Sequence, residues 1–89
     1  MTMTNYLVRI APEDHNTFKA IVKHYPADSH DKWLYLQTKE IAEWEGSGNA
    51  VELVDISPNE FTSYCDRTGA NRDIGTLRSL AMIKAQGKL

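Results

Sequence analysis

The sequence predicts a mixed α/β (α+β) fold in one small domain over residues 1–89, with the element order β-α-β-α-β-α-α. Three observations predict it. The chain has 89 residues, 42% hydrophobic and 25% charged, as in an ordinary globular domain. Apolar residues alternate with period two in some segments and recur every three or four residues in others, which indicates both strands and helices. A single cysteine, Cys65, argues against an internal disulfide framework or a multi-cysteine zinc site.

The first strand and the first helix are predicted from the N-terminal third of the chain. Apolar side chains at positions 6, 8 and 10 follow the period of a strand. Pro12 suits the first turn of a helix, because its missing N–H would be unpaired there in any case. The helix is expected to end at Pro26. One helical face carries the apolar residues Phe18, Ile21, Val22 and Tyr25.

A short aromatic run, Trp33-Leu34-Tyr35-Leu36, predicts a second strand over residues 32–38 that is covered on both faces. Thr38 is expected to cap a short helix over residues 39–45, which ends at Gly46. A third strand follows over residues 50–56. The prediction is therefore a three-stranded sheet packed by helices, in which the second and third strands could pair in either sense.

A pair of helices is predicted at the C-terminal end. Ser57-Pro58-Asn59-Glu60 has the pattern of a capping box, with proline at the first helical position and glutamate three residues after the serine. The helix behind it is expected to reach about Arg67 and to stop at Gly69 in the left-handed conformation. Asn71 is the expected cap of the last helix, which covers residues 72–86.

Charge is distributed unevenly although the formal net charge is only −2. Residues 1–66 contain five basic and eleven acidic side chains, whereas residues 67–89 contain five basic side chains against Asp73 alone. A basic end on an acidic body is compatible with nucleic-acid binding, and equally with packing against the domain's own acidic part. No secretory signal or apolar run of membrane-spanning length is visible, so we expect a cytoplasmic protein without a membrane partner.

No set of residues has the spacing of a known catalytic or metal site, so we expect a non-enzymatic domain without a cofactor. His15 and His24 would point to opposite sides of one helix. Cys65 is expected inside a helix as a small core residue, where its neighbours' N–H groups are already bonded. Asp28, His30 and Asp31 are close in sequence and could hold a divalent ion, but they match no established metal loop.

The last helix carries apolar residues on more than one side. Ile74, Leu77, Ala81 and Ala85 are the predicted core stripe, with Leu80 outside its centre. The predicted interface on the opposite side consists of Gly75, Ser79, Met82, Ile83 and Gln86. A helix that is apolar on more than one side is buried either within its own domain, here by the sheet, or by a partner. The leading hypothesis is a protein–protein contact there, in the form of a homodimer.

Nucleic-acid binding is the alternative, because residues 61–84 have the helix-turn-helix outline and a basic character. Its candidate contacts are Arg67, Arg72, Arg78 and Lys84. Residues 72, 78 and 84 lie about 120° apart around a helix with 100° per residue, whereas a recognition helix needs its polar side chains on one side.

Overall fold

The computed structural model describes residues 3–87 and has a mixed α/β fold. Its two strands form a parallel sheet, and four α-helices surround that sheet within the described residues. No helix in this part of the chain is long and apolar enough to cross a membrane. The elements in chain order are β1 (Thr4–Arg9), a 3-10 turn (Pro12–Asp14), α1 (His15–Ile21), α2 (His30–Gly46), β2 (Ala50–Asp55), α3 (Pro58–Thr68) and α4 (Ile74–Ala85).

The prediction of a strand over residues 32–38 is wrong, because this segment lies in the first half of the 17-residue helix α2. Helix α2 begins after Ser29, whose side chain accepts a hydrogen bond from the Lys32 N–H at 3.1 Å. Thr38, the predicted cap of a separate short helix, lies inside α2. The sheet among the described residues therefore has two strands rather than three, and the element order is β-α-α-β-α-α.

The strands β1 and β2 run parallel over six residue pairs, from Thr4 beside Ala50 to Arg9 beside Asp55. The last pair is also an ion pair, in which Arg9 Nε and Nη2 donate to the Asp55 carboxylate at 2.6 and 2.7 Å. The hydrogen bond from Arg9 holds the pKa of Asp55 below its ordinary value. The parallel sense requires a long crossover, which α1 and α2 provide.

Two predicted helix boundaries are also corrected. Helix α1 ends at Ile21 rather than near Pro26, because Lys23 leaves the helix and pairs with the segment before α4. The Lys23 N–H donates to the Arg72 carbonyl at 2.7 Å. Helix α4 begins at Ile74, and its cap is Asp73 rather than Asn71. The Asp73 carboxylate accepts from the Thr76 N–H at 2.9 Å, which is a typical N-cap hydrogen bond.

The local signals before and after α3 are confirmed. Ser57 and Glu60 form both hydrogen bonds of the capping box, at 3.0 and 3.2 Å. Gly69 ends the helix with φ 74°, a left-handed conformation that glycine adopts without steric cost. These contacts fix where α3 starts and stops, and so place its buried face, Phe61 and Cys65, against the core.

The main core lies between the sheet and helices α1, α3 and α4. Phe18 of α1 and Phe61 of α3 are fully buried with their rings 6.3 Å apart. The sheet contributes Val8, Ile10, Val54 and Ile56, and α4 contributes Leu77, Leu80 and Ala81. Leu80 is fully buried, although the sequence placed it outside the core stripe, while Ala85 of the predicted stripe is exposed. The buried face of α4 is therefore rotated toward Leu80.

The rotated face of α4 gives a stability prediction. We expect Leu80→Ala to lower the free energy of unfolding by about 2–5 kcal/mol, because it leaves a cavity in the core. Met82→Ala, on the 45%-exposed side chain two residues later, should change it by less than about 0.5 kcal/mol. Urea denaturation of both variants measures the difference, and equal losses would contradict the orientation of α4.

The cap of α4 gives a pH prediction. The hydrogen bond from the Thr76 backbone lowers the pKa of Asp73 in the folded state. A lowered folded-state pKa stabilises the fold above the ordinary carboxyl range, and the stabilisation disappears as the pH falls through the folded-state value. We therefore expect the melting temperature to fall as the pH decreases from the ordinary carboxyl range through the lower folded-state pKa of Asp73. Asp73→Asn keeps a capping oxygen that does not titrate, so its melting temperature should depend less steeply on pH; an unchanged slope would contradict the assignment.

Candidate functional site

A groove lies between helices α2 and α4, with strand β1 at its floor. It consists of two adjoining cavities of about 410 and 310 Å³ that share Leu7, Glu40, Trp44 and Arg78. We call it the α2–α4 groove and define it by Leu7, Leu36, Glu40, Trp44, Arg78 and Met82. Trp44 is 37% exposed on the α2 wall, and Met82 is 45% exposed on the α4 wall. The groove thus presents large apolar side chains to solvent from both of its walls.

The α2 wall follows from helical spacing. Trp33, Leu36, Glu40 and Trp44 recur every three or four residues and so share one face of the helix. Trp33, at the start of the helix, is buried and stacks on Tyr25 with ring centroids 5.1 Å apart. Its Nε1 is buried without a hydrogen-bond partner among the described residues. The first turns of α2 are therefore anchored in the core, and its last turns line the open part of the groove.

The floor of the groove is the outer edge of β1. The carbonyls of Met3 and Arg9 accept hydrogen bonds from the Ala50 and Ile56 N–H groups. In a parallel ladder, odd-numbered residues of β1 therefore direct their backbone groups toward β2, and even-numbered residues direct theirs away from it.

Side chains of α2 cap the C-terminal half of this outer edge. Gln37 Nε2 donates to the Val8 carbonyl at 2.6 Å, and His30 Nε2 lies 2.8 Å from the Ile10 carbonyl. At Tyr6, no hydrogen bond to the outward-facing N–H and C=O is found among the described residues. Asn5 lies beside it, and its Nδ2 is buried without a hydrogen-bond partner in the same part of the chain. The edge is therefore open around Tyr6.

Three of the four basic residues predicted for nucleic-acid contact are in ion pairs within the chain. Arg78 of α4 lies 3.5 Å from Glu40 of α2, across the groove. Arg72 donates to Asp66 at 2.8 Å, and Lys84 lies 2.7 Å from Glu60. Arg67 is exposed.

The Lys84 contact is extended by a second acceptor. Its Nζ also donates to the Asp55 carbonyl at 2.7 Å, so it joins α4 to the end of β2. Burial opposes ionisation of Glu60, but hydrogen bonds from Lys84 and from the Ser57 N–H outweigh it and lower the pKa of that carboxyl. Lys84 is therefore a structural contact between α3, α4 and the sheet.

The predicted interface residues of α4 do not have equal exposure. Gly75, Ser79, Met82 and Gln86 are exposed, whereas Ile83 is half-buried. Ser79 and Met82 line the groove. The α2 wall is not predicted from the sequence, because the predicted strand over residues 32–38 and the predicted helix over residues 39–45 divide α2. The spacing from Trp33 to Trp44, together with the Ser29 cap, is the signal that would have found it.

Two of the three histidines, His15 and His30, have structural partners. His24 is exposed and lies beyond the end of α1, so it does not share a helix with His15 as predicted. His15 is buried, with Nδ1 3.0 Å from the Tyr25 hydroxyl and Nε2 3.3 Å from the Asp28 carbonyl. Burial raises the pKa of Tyr25 to about 12. His30 contacts the Ile10 carbonyl, as above, and no group of three or more metal-ligating side chains occurs among residues 3–87. The Asp28, His30 and Asp31 segment therefore does not form a metal cluster.

Cys65 lies in α3 as part of the core, as the sequence predicts. Burial raises the pKa of its thiol, which opposes formation of a nucleophilic thiolate.

No protein-family model matches the chain, and neither does any curated protein or solved structure at a significant level. The groove is therefore interpreted from its own geometry.

The cap on the β1 edge gives a prediction. We expect Gln37→Met, which keeps the length of the side chain, to lower the free energy of unfolding by about 1 kcal/mol, because the Val8 carbonyl loses its donor. Gln86→Met, on an exposed residue at the end of α4, should have no measurable effect. Chemical denaturation compares the two, and an equal effect would show that the Gln37 bond contributes nothing.

Proposed function

We propose that this domain works by protein–protein contact rather than catalysis, and that a second copy of the chain occupies the α2–α4 groove. The observation that carries the proposal is the exposure of Trp44 and Met82 on facing walls of one groove, above a strand edge that is open at Tyr6. Water contacts apolar surface and unpaired backbone at the same place, and burying both favours association.

Charge supports a second copy as the occupant. Glu40 and Arg78 lie at the middle of the groove and are paired with each other, so two grooves meet without an unpaired charge between them. The whole chain has a formal net charge of −2, which gives little repulsion between copies. Gly75 and Ser79, small exposed residues on the same side of α4 as Met82, permit a second helix to approach closely.

Nucleic-acid binding through residues 61–84 is less well supported. Arg72, Arg78 and Lys84 would have to leave acidic partners before they could contact phosphate. A salt titration separates the two functions, because phosphate contacts make affinity fall steeply with ionic strength, whereas an apolar interface does not. Binding to mixed-sequence DNA or RNA in low salt, with a steep salt dependence, would favour the nucleic-acid alternative.

Sedimentation equilibrium tests the dimer. We expect the chain at high micromolar concentration to have twice the 10.1 kDa mass of one copy. Met82→Glu should weaken the dimer by about tenfold or more, because it places a charge in the apolar groove.

Leu34→Glu is the matched control. Leu34 is 43% exposed, close to the 45% of Met82, but it lies outside the groove on α2. We expect Leu34→Glu to leave the mass unchanged. A strict monomer at high micromolar concentration, or equal weakening by both variants, would overturn the proposal.

A further inference from the structure

We infer that the two copies join by antiparallel pairing of their β1 strands, so that the dimer contains one continuous four-stranded sheet in the order β2-β1-β1-β2. The inference rests on the proposed dimer and specifies how it is held together. It follows from the hydrogen-bonding groups that the two edges of the sheet leave available.

The outer edge of β2 is protected against pairing. Lys84 occupies the Asp55 carbonyl, and Glu52 places an acidic side chain on the strand, whereas the Asp55 carboxylate is paired with Arg9 of β1. Charged side chains on an edge strand are a common device against edge-to-edge association, since two such strands repel each other. This edge is therefore a poor site for a second copy.

The outer edge of β1 has no such protection at its N-terminal half. Residues 4–8 contain neither charge nor proline, and the Gln37 and His30 caps begin only at Val8 and Ile10. The Tyr6 N–H and C=O face outward, and the buried Asn5 Nδ2 next to them has no partner among the described residues. An unpaired row of donors and acceptors in a strand edge is a template for another strand.

A second copy fits this template because its edge has the same length and chemistry. With a two-fold axis at Tyr6, the Tyr6 residues of the two copies face each other and exchange two N–H···O=C bonds. Thr4 of each copy then lies opposite Val8 of the other, so that each Val8 N–H donates to a Thr4 carbonyl. Gln37 keeps its bond to the Val8 carbonyl and limits the ladder to this short stretch. Trp44 and Met82 flank the junction and shield it from water.

Amide hydrogen exchange followed by NMR tests the pairing directly. At concentrations where sedimentation shows the dimer, we expect the Tyr6 and Val8 amides to exchange about tenfold or more slowly than in dilute monomer. Asn5 and Leu7 face β2 and are already bonded in the monomer, so their protection should change much less. The contrast between even and odd positions is specific to pairing at this edge.

A proline variant gives an independent readout. Thr4→Pro removes an N–H that faces away from β2, so the ladder to β2 stays intact and the monomer should fold. The proline ring stands on the pairing edge, and we expect it to weaken the dimer about tenfold or more. Thr4→Ala is the control and should leave the dimer unchanged.

The outcomes separate the two proposals. A dimer whose Tyr6 and Val8 amides stay unprotected, or that tolerates Thr4→Pro as well as Thr4→Ala, overturns strand pairing and leaves the groove contact standing. A chain that stays monomeric overturns both. If Thr4→Pro fails to fold, the exchange measurement on the unsubstituted chain still decides the question.

Discussion

Each strand residue carries a donor and an acceptor that must be paired or solvated, and β1 meets this requirement in two ways. Its odd-numbered residues bond to β2, while Gln37 of α2 caps the outward Val8 carbonyl and His30 contacts the carbonyl of Ile10, one residue after the strand. These side-chain bonds hold α2 beside the strand, and Arg78 ties α2 to α4. The position of the groove therefore follows from how the β1 backbone is satisfied.

A two-stranded sheet has little stability of its own, so the helices must supply the core. Helix α4 contributes more buried hydrophobic residues than any other described helix, because Leu77, Leu80 and Ala81 are all fully buried. Its burial also decides which side stays exposed. The large apolar residue left on the solvent side is Met82, since Leu80 is sealed in the core and Ile83 is half-buried. The second apolar side of α4 that the sequence predicts is therefore present, but it exposes fewer large apolar residues than the sequence pattern suggests.

Some local hydrogen-bond patterns could be predicted from the sequence, although the equally local Ser29 cap of α2 was missed, and choices that depend on distant contacts could not be predicted. The Ser57–Glu60 capping box and the Gly69 stop involve residues within a few positions of each other, and both are confirmed. The run from Trp33 to Leu36 has no periodicity within four residues, so it fits a strand as well as a helix. Its Ser29 cap and the stacking of Trp33 on Tyr25 decide for the helix. Because α2 was not predicted as one helix, its wall of the groove was missed, which contributes Leu36, Glu40 and Trp44.

Contacts between residues that are distant in sequence also explain why the count of basic residues was a poor predictor of the functional site. The basic C-terminal segment looks like a separate electrostatic feature in the sequence, yet Arg72, Arg78 and Lys84 each meet an acid, and Arg78 and Lys84 reach other helices to do so. Such exposed pairs add little stability individually, but they orient α2, α3 and α4 around the sheet. Because these charges are paired within the chain, the groove retains mainly apolar surface and open backbone. Those two features favour another protein strand, which would displace at most the Glu40–Arg78 pair across the groove. A phosphate backbone would require all three ion pairs to open first.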